Sequence, residues 1–147
     1  LEQRARGQAG LLGEGCAMLR VERDGDGLAE VLGVQTAMYH DPAEIRGTVA
    51  GLIARALDRA GVPAGDVALV CASGMPGEAD GVRDALPEAE TVPCAELIGD
   101  TSAASGAFQI AAVLATAEDR PDTASRAAVV TSVDHDGVVA VAVLRLR

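Results

Sequence analysis

Lysine, asparagine and tryptophan are missing from this chain of 147 residues, and its aromatic content is one phenylalanine and one tyrosine. With so few rings, a core has to be assembled from Ala, Val and Leu, and a hydrophobic content of 49% supplies enough of them for one compact domain spanning residues 1–147. All the positive charge of Lys and Arg type comes from arginine, 12 residues against 22 acidic ones, and the formal charge is -10. No basic run is present, which argues against nucleic acid and anionic membranes as partners, since both need an electropositive face. No apolar run reaches the roughly 18 residues of a membrane span. A cytoplasmic protein is therefore the expectation.

Cysteine is scarce as well. Cys16, Cys71 and Cys94 lie far apart in apolar segments with no companion histidine, so neither a zinc site nor a disulfide framework is indicated. No basic neighbour lowers their pKa, and small buried residues are the plain reading. The two histidines, His40 beside Asp41 and His135 between Asp134 and Asp136, read as exposed turn residues with no nucleophile nearby. The GEG and GDG strings lack the spacing of a phosphate loop. Neither a metal nor a cofactor is expected.

What the chain does contain is a clear alternation of elements. Gly15 to Val21 and Leu28 to Ala37, separated by ERDGDG, read as an antiparallel hairpin. Asp41, Pro42 and Glu44 supply a cap acceptor, a proline at the first helical position and a carboxylate three residues past the cap. The stripe Ile45, Val49, Leu52, Ile53, Ala56, Leu57 and Ala60 follows at helical spacing, until Gly61 and Pro63. Val67 to Ala72 reads as a strand buried on both faces, Glu78 to Leu86 as a short helix, and Thr91 to Ala95 as a short strand. Ala127 to Val133 and Val138 to Leu146 read as a closing hairpin around the turn at 134–137. The sum is an α/β fold, a mixed sheet covered by helices.

The most telling stretch is LIGDTSAASGAFQIAAVL, Leu97 to Leu114. It predicts a helix from Thr101 to about Ala117 whose first turns are Ala, Ser and Gly, a composition suited to a helix with other backbones pressed close on every side. Asp100 stands before it, where an N-cap acceptor belongs.

Four segments, in order, resemble the β-ketoacyl synthases. GLLGEGCAMLRVE at 10–22 is similar to their GEGA-type strand, and VALVCASGMPGEAD at 67–80 to the strand and loop that carry the first catalytic histidine and end in an acid, here matched to Asp80. Gly99 to Gly106 is similar to GHxxGASG, and Ala127 to Leu144 to the closing hairpin. The resemblance implies a thiolase-like half, one half of an α-β-α-β-α layered fold. It also implies a degenerate site: Ser73 and Asp100 stand where the two histidines belong, Ala95 where a lysine is expected, and the cysteine nucleophile belongs to an N-terminal half. An aspartate has the wrong sign to stabilise an enolate or oxyanion.

The run CASGMPGEADGVRDALPEAETVPCAE at 71–96 further resembles the chain-length factors, non-catalytic subunits that pair with a ketosynthase in polyketide or fatty acid biosynthesis. The implied partners are an N-terminal half of the same fold or a ketosynthase chain, with acyl carrier protein reached through the complex. The implied interface is centred on Asp100, Ala103, Ala104, Gly106, Ala107 and Ala111. Alternatives are a thiolase-like acyltransferase or priming ketosynthase whose nucleophile lies in the other half, and a free-standing scaffold or binding domain.

Overall fold

The computed structural model describes residues 13, 15–23, 25–99, 101 and 104–147. Five strands form one sheet in the order β1-β5-β4-β2-β3, where β1 is Ala29–Met38, β2 Val67–Cys71, β3 Glu90–Thr91, β4 Ala127–Val133 and β5 Val138–Leu146. β5 runs antiparallel to both β1 and β4, while β2 is parallel to β4 and β3. Among the described residues, four α-helices accompany these strands: α1 Ile45–Ala60, α2 Glu78–Ala85, α3 Cys94–Ile98 and α4 Ser105–Glu118. The mixed, helix-covered sheet is thus the architecture the sequence indicates.

The entry to α1 forms as its sequence dictates. Asp41 accepts from the Ala43 N–H and Glu44 reaches back to the cap backbone, closing a capping box over a single 3₁₀ turn at Pro42–Glu44. Gly61 ends the helix in the left-handed conformation at φ 64°. Its stripe of Ile45, Val49, Leu52, Ile53, Ala56 and Leu57 is buried against Val67, Val70, Val129, Val139, Val141 and Val143 of the sheet. Burying each of the larger side chains stabilises the fold by roughly 1.5–3 kcal/mol. β2, buried at all five positions, is the interior strand covered on both faces that the sequence indicates.

The opposite face is covered unevenly. α4 lies over β2 and β4, closing a second cluster around Leu69, Cys71, Val113, Val130 and Leu144. It does not extend over β1, whose Val31, Val34 and Met38 pair with Leu144, Ala142 and Val138 and therefore lie on that same face. Val34 is 58% and Met38 67% exposed. α4 itself is half-buried along most of its length, with only Gln109 and Val113 fully enclosed.

Two strand assignments need correction. No hairpin precedes α1: the described residues of 15–22 form no strand, and β1 pairs instead with β5. Alternation marks a segment as fit for a sheet without specifying its partner, and Met18 and Val21 are left 91% and 82% exposed. The strand at Thr91 to Ala95 stops at Thr91: the Val92 N–H still donates to the Val70 carbonyl at 2.8 Å, but the next donor, the Cys94 N–H, turns back to the Val92 carbonyl at 2.9 Å, and α3 begins there.

The closing hairpin is fastened to β1 by the only tyrosine. The Tyr39 N–H donates to the Gly137 carbonyl at 2.8 Å, and its phenol donates to the Asp134 carbonyl. Burial first, then the charges of Asp134 and Asp136, raise the phenol above its ordinary pKa. A group raised in the folded state stabilises fully below its unfolded pKa, about 10 for tyrosine, and that stability is lost as pH rises through the folded value. Absorbance titration should therefore show the tyrosine ionising later in the native protein than in urea. Tyr39→Phe should cost about 1 kcal/mol near neutrality and remove this alkaline dependence. Identical titrations in the two states would contradict the latch.

Candidate functional site

The loop leaving the carboxyl end of β2 turns through Gly74 and Gly77, at φ 91° and 85°, a region that penalises side chains, and enters α2 at Glu78. Glu78 is fully buried. Its carboxylate accepts from the Ser73 N–H at 3.1 Å, the Ser73 hydroxyl at 2.8 Å, the Gly74 N–H at 2.9 Å, the Met75 N–H at 3.1 Å and the Thr131 hydroxyl at 2.6 Å. Five donors on one carboxylate occupy its acceptor capacity, and the N-terminal turn of α2 adds a favourable dipole. One acid thus ties the loop to β4.

This network bears on what Ser73 can do. Its distance to Glu78 fits a nucleophile and its base, but the same carboxylate also accepts from three backbone N–H groups and the Thr131 hydroxyl, contacts that suit a structural tie. The Ser73 oxygen in turn accepts from the Val133 N–H at 3.0 Å. The hydroxyl is a structural strut.

Ser73 also lines a small cavity with Cys94, Thr101, Ser105, Phe108 and Gln109, which offers about 10 Å³ to the centre of a water molecule. Ala95 borders it beneath Gly74. No extended acyl chain fits a space of that size. Gln109, on the inner face of α4, donates to the Thr131 carbonyl at 2.8 Å and the Cys71 carbonyl at 3.4 Å.

Asp100 and Ala103 lie outside the described residues. The N-cap position of α4 is held by Ala104, with no side-chain hydrogen bond, and the helix begins four residues later than its small-residue composition predicts. Ala104, Gly106, Ala107 and Ala111 are half-buried. A Cβ placed on Gly106 meets nothing within 4 Å, so the expected close packing around it is not provided by the described residues. Asp80, matched by resemblance to the loop's acid, is exposed and paired with Arg83 at 2.7 Å. The buried acid is Glu78.

His40 and His135 are exposed in turns, as expected. Cys71 and Cys94 are buried, and burial first, then the neighbouring Cys94, push the Cys71 thiol up to about 12. Cys16 is exposed. A thiol-reactive reagent should therefore label one cysteine quickly in the native chain and all three in denaturant. Fast native labelling of Cys71 would contradict the burial.

Sequence reasoning passed over Glu78, Thr131 and Gln109. Gln109 left a signal, since it is the one amide in SGAFQIAAVL and stands four residues before Val113 on the same helix face. Glu78 left a weaker one, an acid opening a helix after a glycine-rich turn.

No family model and no curated protein matches the chain. Among solved structures, it is similar to the ishigamide ketosynthase/chain length factor, with 45% identity, a TM-score of 0.70, and coverage of 81% of this chain and 35% of that one. It is also similar to a ketosynthase in a type II PKS complex with an acyl-carrier protein, at 20% identity and TM-score 0.69, covering 82% and 39%. A third is the peroxisomal 3-ketoacyl-CoA thiolase of Saccharomyces cerevisiae, at 20% identity and TM-score 0.64, covering 82% and 35%. That thiolase is a five-layered structure built from two core domains of identical topology. The chain spans about a third of the length of these proteins. Among the described residues no helix is long and apolar enough to cross a membrane.

Proposed function

We propose that this chain, ketosynthase-like and of the thiolase fold, is the C-terminal part of a chain-length-factor-type subunit that pairs with a ketosynthase and does not itself carry out condensation. The 45% identity to a ketosynthase/chain length factor over most of the chain is the observation that carries this reading. Three features of the site support it. The Ser73 hydroxyl is committed to Glu78, the adjoining cavity is water-sized, and the buried thiol of Cys71 is held protonated. The pocket for a growing chain then belongs to the assembly with the ketosynthase, which acyl carrier protein would approach.

The partly covered sheet face supports the interface. In the two-domain arrangement of the thiolase, a second core domain of the same topology would pack on α4 and on the bare face of β1 and β5. Ala104, Gly106, Ala107 and Ala111 are small enough to let another backbone approach. The exposed Val31, Val34 and Met38 would be covered at the same time.

Reconstitution tests the reading. The ketosynthase partner alone and this subunit alone are expected to make no extended product from malonyl carrier protein, and the two together to make it. Condensation by the subunit alone would overturn the proposal. Asp100→His is likewise expected to create no condensing activity, because neither the nucleophile nor the other histidine is restored. Decarboxylation of malonyl carrier protein by that variant alone would contradict this.

A further inference from the structure

We infer that the cavity between the β2–α2 loop, α3 and the first turn of α4 is a binding site for a single water molecule, held by the Gln109 amide oxygen and the paired hydroxyls of Thr101 and Ser105. Gln109 is 2% exposed, and its Oε1 has no hydrogen-bond partner among the described residues although it belongs to a residue lining the cavity. The amide cannot relieve this by turning over. Its NH₂ meets two carbonyls, those of Thr131 and Cys71, and a flipped amide would set oxygen against oxygen at both. The orphaned acceptor is therefore fixed in place, and a buried acceptor calls for a donor.

The walls supply what a water needs. Thr101 Oγ1 and Ser105 Oγ lie 3.0 Å apart, so one donates to the other and the second keeps a proton to direct elsewhere. A water in the cavity accepts that proton and donates one of its own to Gln109 Oε1. Ser73 adds little, since its proton is on Glu78 and one lone pair is on the Val133 N–H. Two or three polar partners suit a buried water, and about 10 Å³ is close to the smallest space that admits one. A side chain or an extended acyl chain is too large. The site therefore does not depend on the proposed pairing with a ketosynthase.

A crystal structure of the complete protein, refined with ordered solvent, tests this together with the Gln109→Met variant. The expected result is one ordered water between about 2.7 and 3.2 Å from Gln109 Oε1 in the wild type, within reach of Thr101 or Ser105, and no water there in Gln109→Met. A dry cavity, a donor side chain from elsewhere in the protein on Oε1, or a water unmoved in Gln109→Met would each overturn the assignment. The wild-type structure decides it even if the variant does not fold.

Discussion

Gly106→Leu is expected to leave the melting temperature of this chain by itself unchanged or slightly raised, and to weaken its association with the complementary domain at least tenfold. Among the described residues, a side chain at this position enters open space, and replacing glycine near the start of α4 gains at most about 1 kcal/mol of helix propensity. In the proposed assembly the same position faces another backbone. Forcing a leucine into a packed contact costs typically 1–3 kcal/mol, and about 1.4 kcal/mol is a factor of ten in affinity. Thermal melting and sedimentation of the two preparations separate the effects. A large fall in the melting temperature of the chain alone would place the packing partner of Gly106 inside it, and unchanged association would remove this helix face from the interface.

Glu78→Ala should be the most damaging single change in the chain. Three backbone N–H groups and two hydroxyls lose their acceptor at once, around a side chain that is itself fully buried. Breaking a buried charged network typically costs about 3–5 kcal/mol. Glu78→Gln should fall between, because an amide keeps one acceptor oxygen but turns its own N–H groups toward donors. Asp80→Ala removes a surface pair with Arg83 and should change stability by no more than about 0.5 kcal/mol. Urea denaturation of the three variants gives the order directly. Equal midpoints for Glu78→Ala and Asp80→Ala would show that the loop is held by something other than this carboxylate.

The contrast between those two acids marks how far the fold and the site were legible in the sequence. Wherever a local signal and burial agree, reading is direct. Asp41, Pro42 and Glu44 start α1, and the largely apolar runs at 67–71, 127–133 and 138–146 become the inner strands. Where the outcome depends on a distant partner, local pattern is mute. Leu28 to Ala37 is recognisably a strand, yet its choice of β5, more than a hundred residues away, cannot be read from its alternation. Glu78 and Asp80 are alike as letters. Only the return of the chain past Ser73 and Thr131 distinguishes the buried one.

The small-residue helix shows the same division. Its composition correctly announces a close neighbour on the side of β2 and β4, where Gln109 and Val113 are enclosed. The composition also predicts a neighbour around Ala104, Gly106, Ala107 and Ala111, where the chain leaves the surface half open. In the proposed assembly a second core domain would supply that neighbour.

The structure of the complete assembly shows most directly whether this helix face is an interface: α4 is expected to be sandwiched between this sheet and a second core domain, in a contact burying on the order of 2,000 Å² or more. That contact is centred on residues 100–111 and the closing hairpin, with Val34 and Met38 withdrawn from solvent. An assembled structure in which α4 and the outer face of β1 remain in water would contradict it.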